Sequence, residues 1–491
     1  MGRDIQITTI SPEHRVRFRE RLRENLAALA QMLDSGAFRF ERRRIGVELE
    51  VALVGPEGDP IGVNAELLAL LEAAGLDFQS ELGRFNVEFA SRPLPLGDGM
   101  IDLLFGELTA TLDGARGCAD TLGARLALIG VLPTITDFDL AEQSLSVNPR
   151  YRALNDAMLG ELGEEPHLHI EGTDLLDLHV PSIAYAAACT SLQVHIEVLP
   201  GDFAVHWNAA TLASPLLVAA SANAPLFLHR RLHHETRIAL FQQVCDTRPV
   251  ELAAQGVRPR VWFGDGWVHE GALELFTQNA HWFPALLPLP EDESPLAELE
   301  RGETPRLAAL TLHCGTIYRW NRPVYGVGTS GPNLRIENRV MSAGPTLADV
   351  TANVALCVGL TRGLALQEHP AWERLPFGAV AADFDRAARD GLGAALSWPG
   401  ADDRVPARDL LLRVLPMAAE GLADLGVGAG ESRRWLDVIR GRAETGRNGA
   451  IWQLETWEAL RAGGLAPAEA SRELVRRYLD LAATGAPVHT W

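Results

Sequence analysis

Four short stretches of this 491-residue chain place carboxylates, one imidazole and two guanidinium groups at alternate positions. GVELE at 46–50 carries Glu48 and Glu50, and NVEF at 86–89 carries Glu88. QVHIEV at 193–198 carries Gln193, His195 and Glu197, and RIENRV at 335–340 carries Arg335, Glu337 and Arg339. A period of two marks a strand with one buried face. Ile45, Val47, Leu49, Val51 and Leu53 form that face in the first stretch, and Asn338 is the exception on the apolar side of the fourth. Carboxylates gathered on one cleft wall repel each other in a low dielectric, so something cationic must compensate. Oxygen ligands with one imidazole suit Mg2+ or Mn2+, which makes Glu48, Glu50, Glu88, His195, Glu197 and Glu337 candidate metal ligands. Arg335 and Arg339 match phosphate or carboxylate oxygens. Acidic metal ligands beside arginines are what phosphoryl transfer requires. For any single strand, ordinary ion pairs on a wet face are the better explanation; four copies make that explanation less economical.

Other motifs carry less. The chain has no GxxxxGK[ST] phosphate loop, and GVGTSG at 326–331 precedes the arginine strand, as a flexible loop near phosphates or an ordinary turn. His167, His169 and Glu171 alternate with Leu168 and Ile170, a pattern that could ligate a metal but that short surface strands also show. Cys189 and Cys314 have histidines nearby in sequence, yet a small buried cysteine is commoner than a nucleophile. Trp262, Trp267, Trp282 and Trp320 line a pocket or fill the core.

The elements that must position these residues follow from the same patterning. Helices are expected over 12–33, 65–71 with Asn64 as its cap, 100–129 with Pro133 closing it, and 346–365. Further helices are expected over 381–396, 407–425, 432–440, 451–462 and 467–483. The NPR run at 148–150 reads as part of an irregular substrate loop, and 249–303 as a long connection able to close over substrate. The run 209–224 is interrupted by Pro215 and is shorter than a membrane span requires, so it reads as a buried helix beside the sheet.

With 44 basic and 64 acidic residues the formal charge is -20, which argues against a nonspecific nucleic-acid or anionic-membrane surface. The five cysteines form no CxxC pair and point to a reducing cytoplasm. MGRDIQITT at the amino terminus lacks an apolar signal core.

In this order and as a set, the four motifs resemble the strands of the glutamate–cysteine ligase superfamily, particularly its carboxylate–amine ligase branch, over about 43–346. The resemblance implies an α+β, glutamine-synthetase-like fold: a curved, mainly antiparallel sheet with helices on its convex side and a helical C-terminal region. Residues 1–366 are expected to form the catalytic domain and 367–491 the helical region, packed separately or as part of the same domain. It further implies ATP and Mg2+, with Mn2+ as the variant, on the concave face. Carried over by motif, Glu50, Arg335 and Arg339 are the catalytic residues, and His195, Gln193, Arg335 and Arg339 contact the nucleotide. Glu48, Glu50, Glu88, His195, Glu197 and Glu337 would hold the metal.

The implied reaction activates a glutamate-like carboxylate as an acyl phosphate, which an amine then attacks to form an amide. Where many branch members have two alternating histidines followed by glycine, this chain has Gln193, His195 and Glu197, so the amine acceptor stays open. Alternatives are a small-molecule phosphotransferase of the same fold and a catalytically weakened binding or regulatory protein. The expected partners are amino-acid-like carboxylate and amine substrates, with no nucleic acid or membrane. A homo-oligomer or protein partner is left open.

Overall fold

The structure is a computed structural model that describes residues 11–39, 42–289, 293–329 and 331–491. The MGRDIQITT segment, on which the expectation about secretion rests, lies outside the described residues. In chain order, α1 (Pro12–Asp34) leads into β1 (Arg44–Val54), α2 (Asn64–Ala73), β2 (Phe78–Ser80), β3 (Asn86–Ala90) and β4 (Leu94–Pro95). Then come α3 (Met100–Asp120), β5 (Arg125–Ala127), α4 (Pro149–Leu162) and a hairpin of β6 (His167–Glu171) and β7 (Leu175–His179). β8 (Ser191–Glu197) precedes α5 (Phe203–Ser221), the short pair β9 (Leu226–Phe227) and β10 (Arg230–Arg231), and α6 (Thr236–Val244).

Next are α7 (Val250–Ala254), β11 (Val261–Trp262), α8 (Ala272–Trp282), α9 (Pro295–Glu300), α10 (Ala308–Cys314) and β12 (Tyr318–Arg319). The main sheet is completed by β13 (Asn321–Gly328) and β14 (Gly331–Ser342). The chain ends in α11 (Leu347–Ala365), α12 (Phe377–Asp390), the pair β15 (Ala395–Leu396) and β16 (Val405–Pro406), α13 (Ala407–Asp424), α14 (Ala429–Thr445), α15 (Gly449–Ala462) and α16 (Pro467–Ala482).

One curved, eight-stranded antiparallel sheet runs β13-β14-β8-β1-β3-β2, with β4 and β5 also paired to β1. Its helices lie on the convex side, the glutamine-synthetase-like architecture that the motifs imply. The strand alternation explains why. Val47, Leu49, Leu192, Val194, Leu334 and Ile336 are at most 1% exposed, and behind them β14 packs on the apolar helix α5 and β8 on α11. Fully burying a side chain of this kind contributes roughly 1.5–3 kcal/mol, so the face that pairs with helices is fixed and the polar face is left to the cleft. Both α5 and α11 are long and apolar enough to cross a membrane, yet 89% of each apolar window is buried inside the protein.

The C-terminal helices join the same core. The buried guanidinium of Arg442 in α14 donates to Asp349 Oδ1 at 2.8 Å, Asn353 Oδ1 at 2.6 Å and the Ala220 carbonyl at 3.2 Å, tying α14 to α11 and α5. Helices α11 and α13 cross at glycines: a Cβ on Gly421 would stand 2.0 Å from the Gly359 carbonyl oxygen.

Several expectations are corrected. The helix expected over 100–129 ends at Asp120, because the chain turns at Gly123 (φ +67°) and Arg125–Ala127 pairs instead with Ala52–Val54 of β1. Asn64 does not cap α2; its amide is buried and donates to Gly83 O, Asn86 O and Ser146 Oγ, leaving Val63 as an uncapped terminus. The run 381–396 is α12 ending at Gly391 (φ +53°), followed by β15. Residues 249–303 hold α7, β11, α8 and α9 rather than one long connection; α7, β11 and α9 are too short to show a period, whereas α8 buries Ala272, Leu275, Phe276 and Asn279 at helical spacing. NPR is the capped start of α4, with Asn148 Oδ1 accepting from the Arg150 amide at 3.0 Å. GVGTSG is the β13–β14 hairpin, in which Gly328 pairs with Gly331; its Ser330 lies outside the described residues.

Candidate active site

The register of the sheet brings the four motifs into one surface. Across the strands, Arg322 faces Glu337, Glu337 faces His195, and His195 faces Gly46. One step along, Glu48 faces Gln193; beyond it Glu50 faces Glu88, which faces Gln79. In the other direction Arg335 faces Glu197. Glu48, Glu50, Glu88, Gln193, His195, Glu197, Arg335, Glu337 and Arg339 all line one cleft of about 2230 Å³. Gly46 leaves its floor open, with only Ser91 Oγ, at 3.9 Å, close to where a Cβ would stand.

Two electrostatic neighbourhoods share this cleft. In the first, oxygens of Glu50, Glu81 and Glu88 lie within 4.8 Å of one another. Glu50 is held by the Ser191 amide at 2.6 Å, Ser191 Oγ at 3.1 Å and Gln193 Nε2 at 3.0 Å. Burial pushes its carboxyl up to about 8, with Glu81 adding to the rise and Arg339 opposing it. Burial likewise raises Glu81, and it raises Glu88 well above the usual range, where Glu81, Glu48 and Glu50 push the same way.

In the second, charge is balanced. Glu337 takes Arg339 Nη1 at 2.5 Å and Arg322 Nη1 at 3.4 Å. Burial would raise its carboxyl, but Arg322, Arg339 and His195 win and hold it at about 2. Arg339 Nη1 also donates to Gln193 Oε1 at 3.1 Å. His195 Nε2 lies 3.1 Å from Glu48 Oε1 in an ion pair, and Nδ1 is buried without a hydrogen-bond partner. Burial opposes ionisation of Glu48, yet His195 and Arg339 outweigh it and keep that carboxyl below its ordinary value.

Glu197 stands apart from both groups. Its Oε2 is 3.9 Å from Arg44 Nε and has no hydrogen-bond partner, and its register neighbour is Arg335. Arg335 donates to Asn333 Oδ1 at 2.5 Å and lies over Gly326, where a Cβ would come within 2.9 Å of Nη1.

A family model for glutamate–cysteine ligase family 2 matches residues 44–479, nearly the whole chain. The chain belongs to this family. Glutamate–cysteine ligase family 2 is a family of ATP-dependent carboxylate–amine ligases within the glutamine-synthetase-like superfamily. The chain is 31% identical over 132 residues to a Mycolicibacterium smegmatis protein described as "Putative glutamate--cysteine ligase 2-3"; the match spans 34% of that protein's length. Its fold is similar to that of a Francisella tularensis glutamate–cysteine ligase solved in complex with AMP, with TM-score 0.54 and 10% identity over 91% of this chain and 90% of that one. A bifunctional glutathione synthetase from Pasteurella multocida gives TM-score 0.48 at 10% identity, over 94% of this chain and 55% of its own.

The donor set of this family 2 member fits divalent cations. One buried and two half-buried carboxylates, all with raised affinities for protons, can ionise together only beside a cation, and all-oxygen ligation suits Mg2+ over softer ions. Three residues of the cleft escaped sequence reasoning. Glu81 follows β2 in a loop without period; its only sequence signal is that it lies two positions beyond Gln79. Arg322 sits in the alternation Asn321, Pro323, Tyr325 of β13, whose buried members are not aliphatic. Arg237 forms a buried pair with Glu235 at 2.8 Å and donates to the Val340 carbonyl at 2.5 Å, supporting the β14 backbone beside Arg339.

Proposed function

We propose that this protein is an ATP-dependent carboxylate–amine ligase with a glutamate-like donor, working in the cytoplasm. The observation that carries the reading is the meeting of Glu50, Glu81 and Glu88 with the Arg322–Glu337–Arg339 cluster in one cleft of a family 2 sheet. Glu50, Glu81 and Glu88 would hold one Mg2+, and Glu48, Glu337 and His195 would serve a second position. When bound, the metals screen the phosphate oxygens of ATP.

The chain's own groups do the rest. A donor carboxylate oxygen attacks the terminal phosphorus of ATP, forming an acyl phosphate as the bond to ADP breaks. Arg339 and Arg335 would bind the equatorial oxygens of the group in transfer, where positive charge is worth most. The amine then attacks the acyl carbon, phosphate departs and a proton is lost, leaving the amide. Gln193 and Glu337 hold the Arg339 guanidinium in place, so no reorganisation is required as charge develops.

The test is an ATP-turnover screen with glutamate and related carboxylates against a panel of amines, with products read by mass. A new amide together with ADP and phosphate is the expected result. A phosphorylated carboxylate or amine without amide would reassign the protein as a phosphotransferase, and no ATP turnover with any pair would overturn the enzyme reading.

A further inference from the structure

Outside the cleft lining, the β6–β7 hairpin carries side chains that the ligase chemistry leaves unused. β6 exposes His167, His169 and Glu171 and buries Leu168 and Ile170; β7 exposes Asp177 and His179 and buries Leu176. His167 faces His179 across the ladder, and His169 faces Asp177. Three imidazoles and a carboxylate therefore occupy four adjoining positions on one face.

The distances are those of a donor cluster. Asp177 Oδ1 is 2.7 Å from His167 Nε2 and Oδ2 is 3.4 Å from His169 Nδ1, and one donor atom from each of the three residues falls within 4.8 Å of the others. Donors at about 2.0–2.1 Å from a tetrahedral zinc ion sit roughly 3.4 Å apart, so little rotation is required. The His179 ring stacks on His167, with centroids 4.5 Å apart and planes 8° from parallel, within reach of a fourth position.

The scaffold under the cluster is fixed. Gln243 of α6 accepts from the His169 amide at 2.8 Å and donates to the His169 carbonyl at 2.9 Å, clamping β6 from its outer edge. At the turn, Asp174 takes Arg231 Nε and Nη2, each at 3.0 Å.

We propose that this hairpin is a second metal site, holding a zinc-class divalent ion through His167, His169 and Asp177 with His179 completing the shell. An imidazole-rich set selects borderline ions such as Zn2+, whereas the all-carboxylate group of the cleft selects hard ones, so the two sites sort metals by ligand chemistry. The hairpin joins α4, which brings Arg150 and Tyr151 to the cleft, to the turn Ile183–Ala188, which also borders it. An ion here staples the connection between two walls of the cleft.

The experiment uses the full chain, stripped of metal and resupplied with saturating Mg2+, titrated with Zn2+ by calorimetry and with Co2+ by visible absorption. One Zn2+ equivalent is expected, with intense d–d bands for Co2+. His169→Ala and Asp177→Ala should each weaken Zn2+ binding by roughly tenfold or more and abolish the Co2+ bands. Both residues are exposed, so the variants should fold as the parent does, with unchanged thermal unfolding in Mg2+ alone. A Zn2+ equivalent retained at parental affinity in both variants, or no equivalent in the parent, would overturn the proposal and leave the hairpin as surface ion pairs only.

Discussion

Glu50 of β1 and Glu88 of β3 stand directly opposite each other in the sheet, a position at which like charges destabilise a strand pair. Neither can swing clear: Ser191 and Gln193 hold Glu50, and Glu81 closes the group from the β2 side. A proton or a cation must therefore accompany the folded state, and the two compete for the same oxygens.

This competition sets a pH dependence. Glu50 is raised from an ordinary carboxylate value to about 8, so its stabilising proton is fully present below about 4.5 and lost as pH rises through about 8. The metal-free protein should lose thermal stability as pH rises from about 5 to about 8, and saturating Mg2+ should restore it while releasing protons measurable by calorimetry in two buffers. Glu50→Gln should abolish both the Mg2+ effect and the turnover. A melting temperature in that window that ignores Mg2+ would refute the assignment.

Arg339→Ala should lower kcat by about 10³-fold through loss of charge stabilisation in the transition state. Folding should survive, since the arginine projects into the cleft from β14. Arg339→Lys keeps the charge but not the paired donors to Glu337 and Gln193, so it should recover only part of the rate. Steady-state kinetics against unfolding curves separate these effects.

Asp349 and Arg442 form a fully enclosed ion pair between α11 and α14. Removing one partner leaves the other charged and buried, so Asp349→Ala should destabilise the protein by about 3–5 kcal/mol. Urea unfolding of the variant, set against a double variant that removes Arg442 as well, measures the coupling. A loss below about 1 kcal/mol would show the pair to be solvated in practice.

Gly421→Ala tests the contact between α11 and α13. The added methyl would collide with the Gly359 carbonyl, and overpacking of this kind costs about 1–3 kcal/mol despite the gain in helix propensity. Chemical denaturation should show the loss with ATP turnover retained at low temperature.

Alternation made the catalytic wall readable in advance. Glu48, Glu50, Glu88, His195 and Glu337 could be assigned to one side of their strands because buried aliphatic residues hold the opposite side, where β14 packs on α5 and β8 on α11. Glu81 had no such frame: it lies in a loop, and only tertiary folding carries it to Glu50 and Glu88. Arg322 was hidden because Asn321 supplies a hydrogen-bonded rather than an aliphatic anchor, through Asn338 Nδ2 at 2.8 Å. The strand Arg125–Ala127 was absorbed into a helix because three residues cannot display a period, and its identity comes from pairing with β1.

The bare floor at Gly46 sets how far a guest can sink beside His195. Any larger side chain introduced there would shorten the trench from beneath without adding or removing a formal charge. Under the proposed function, a single methyl group at that spot would act on the size of what is bound and leave the charged groups of the cleft as they are.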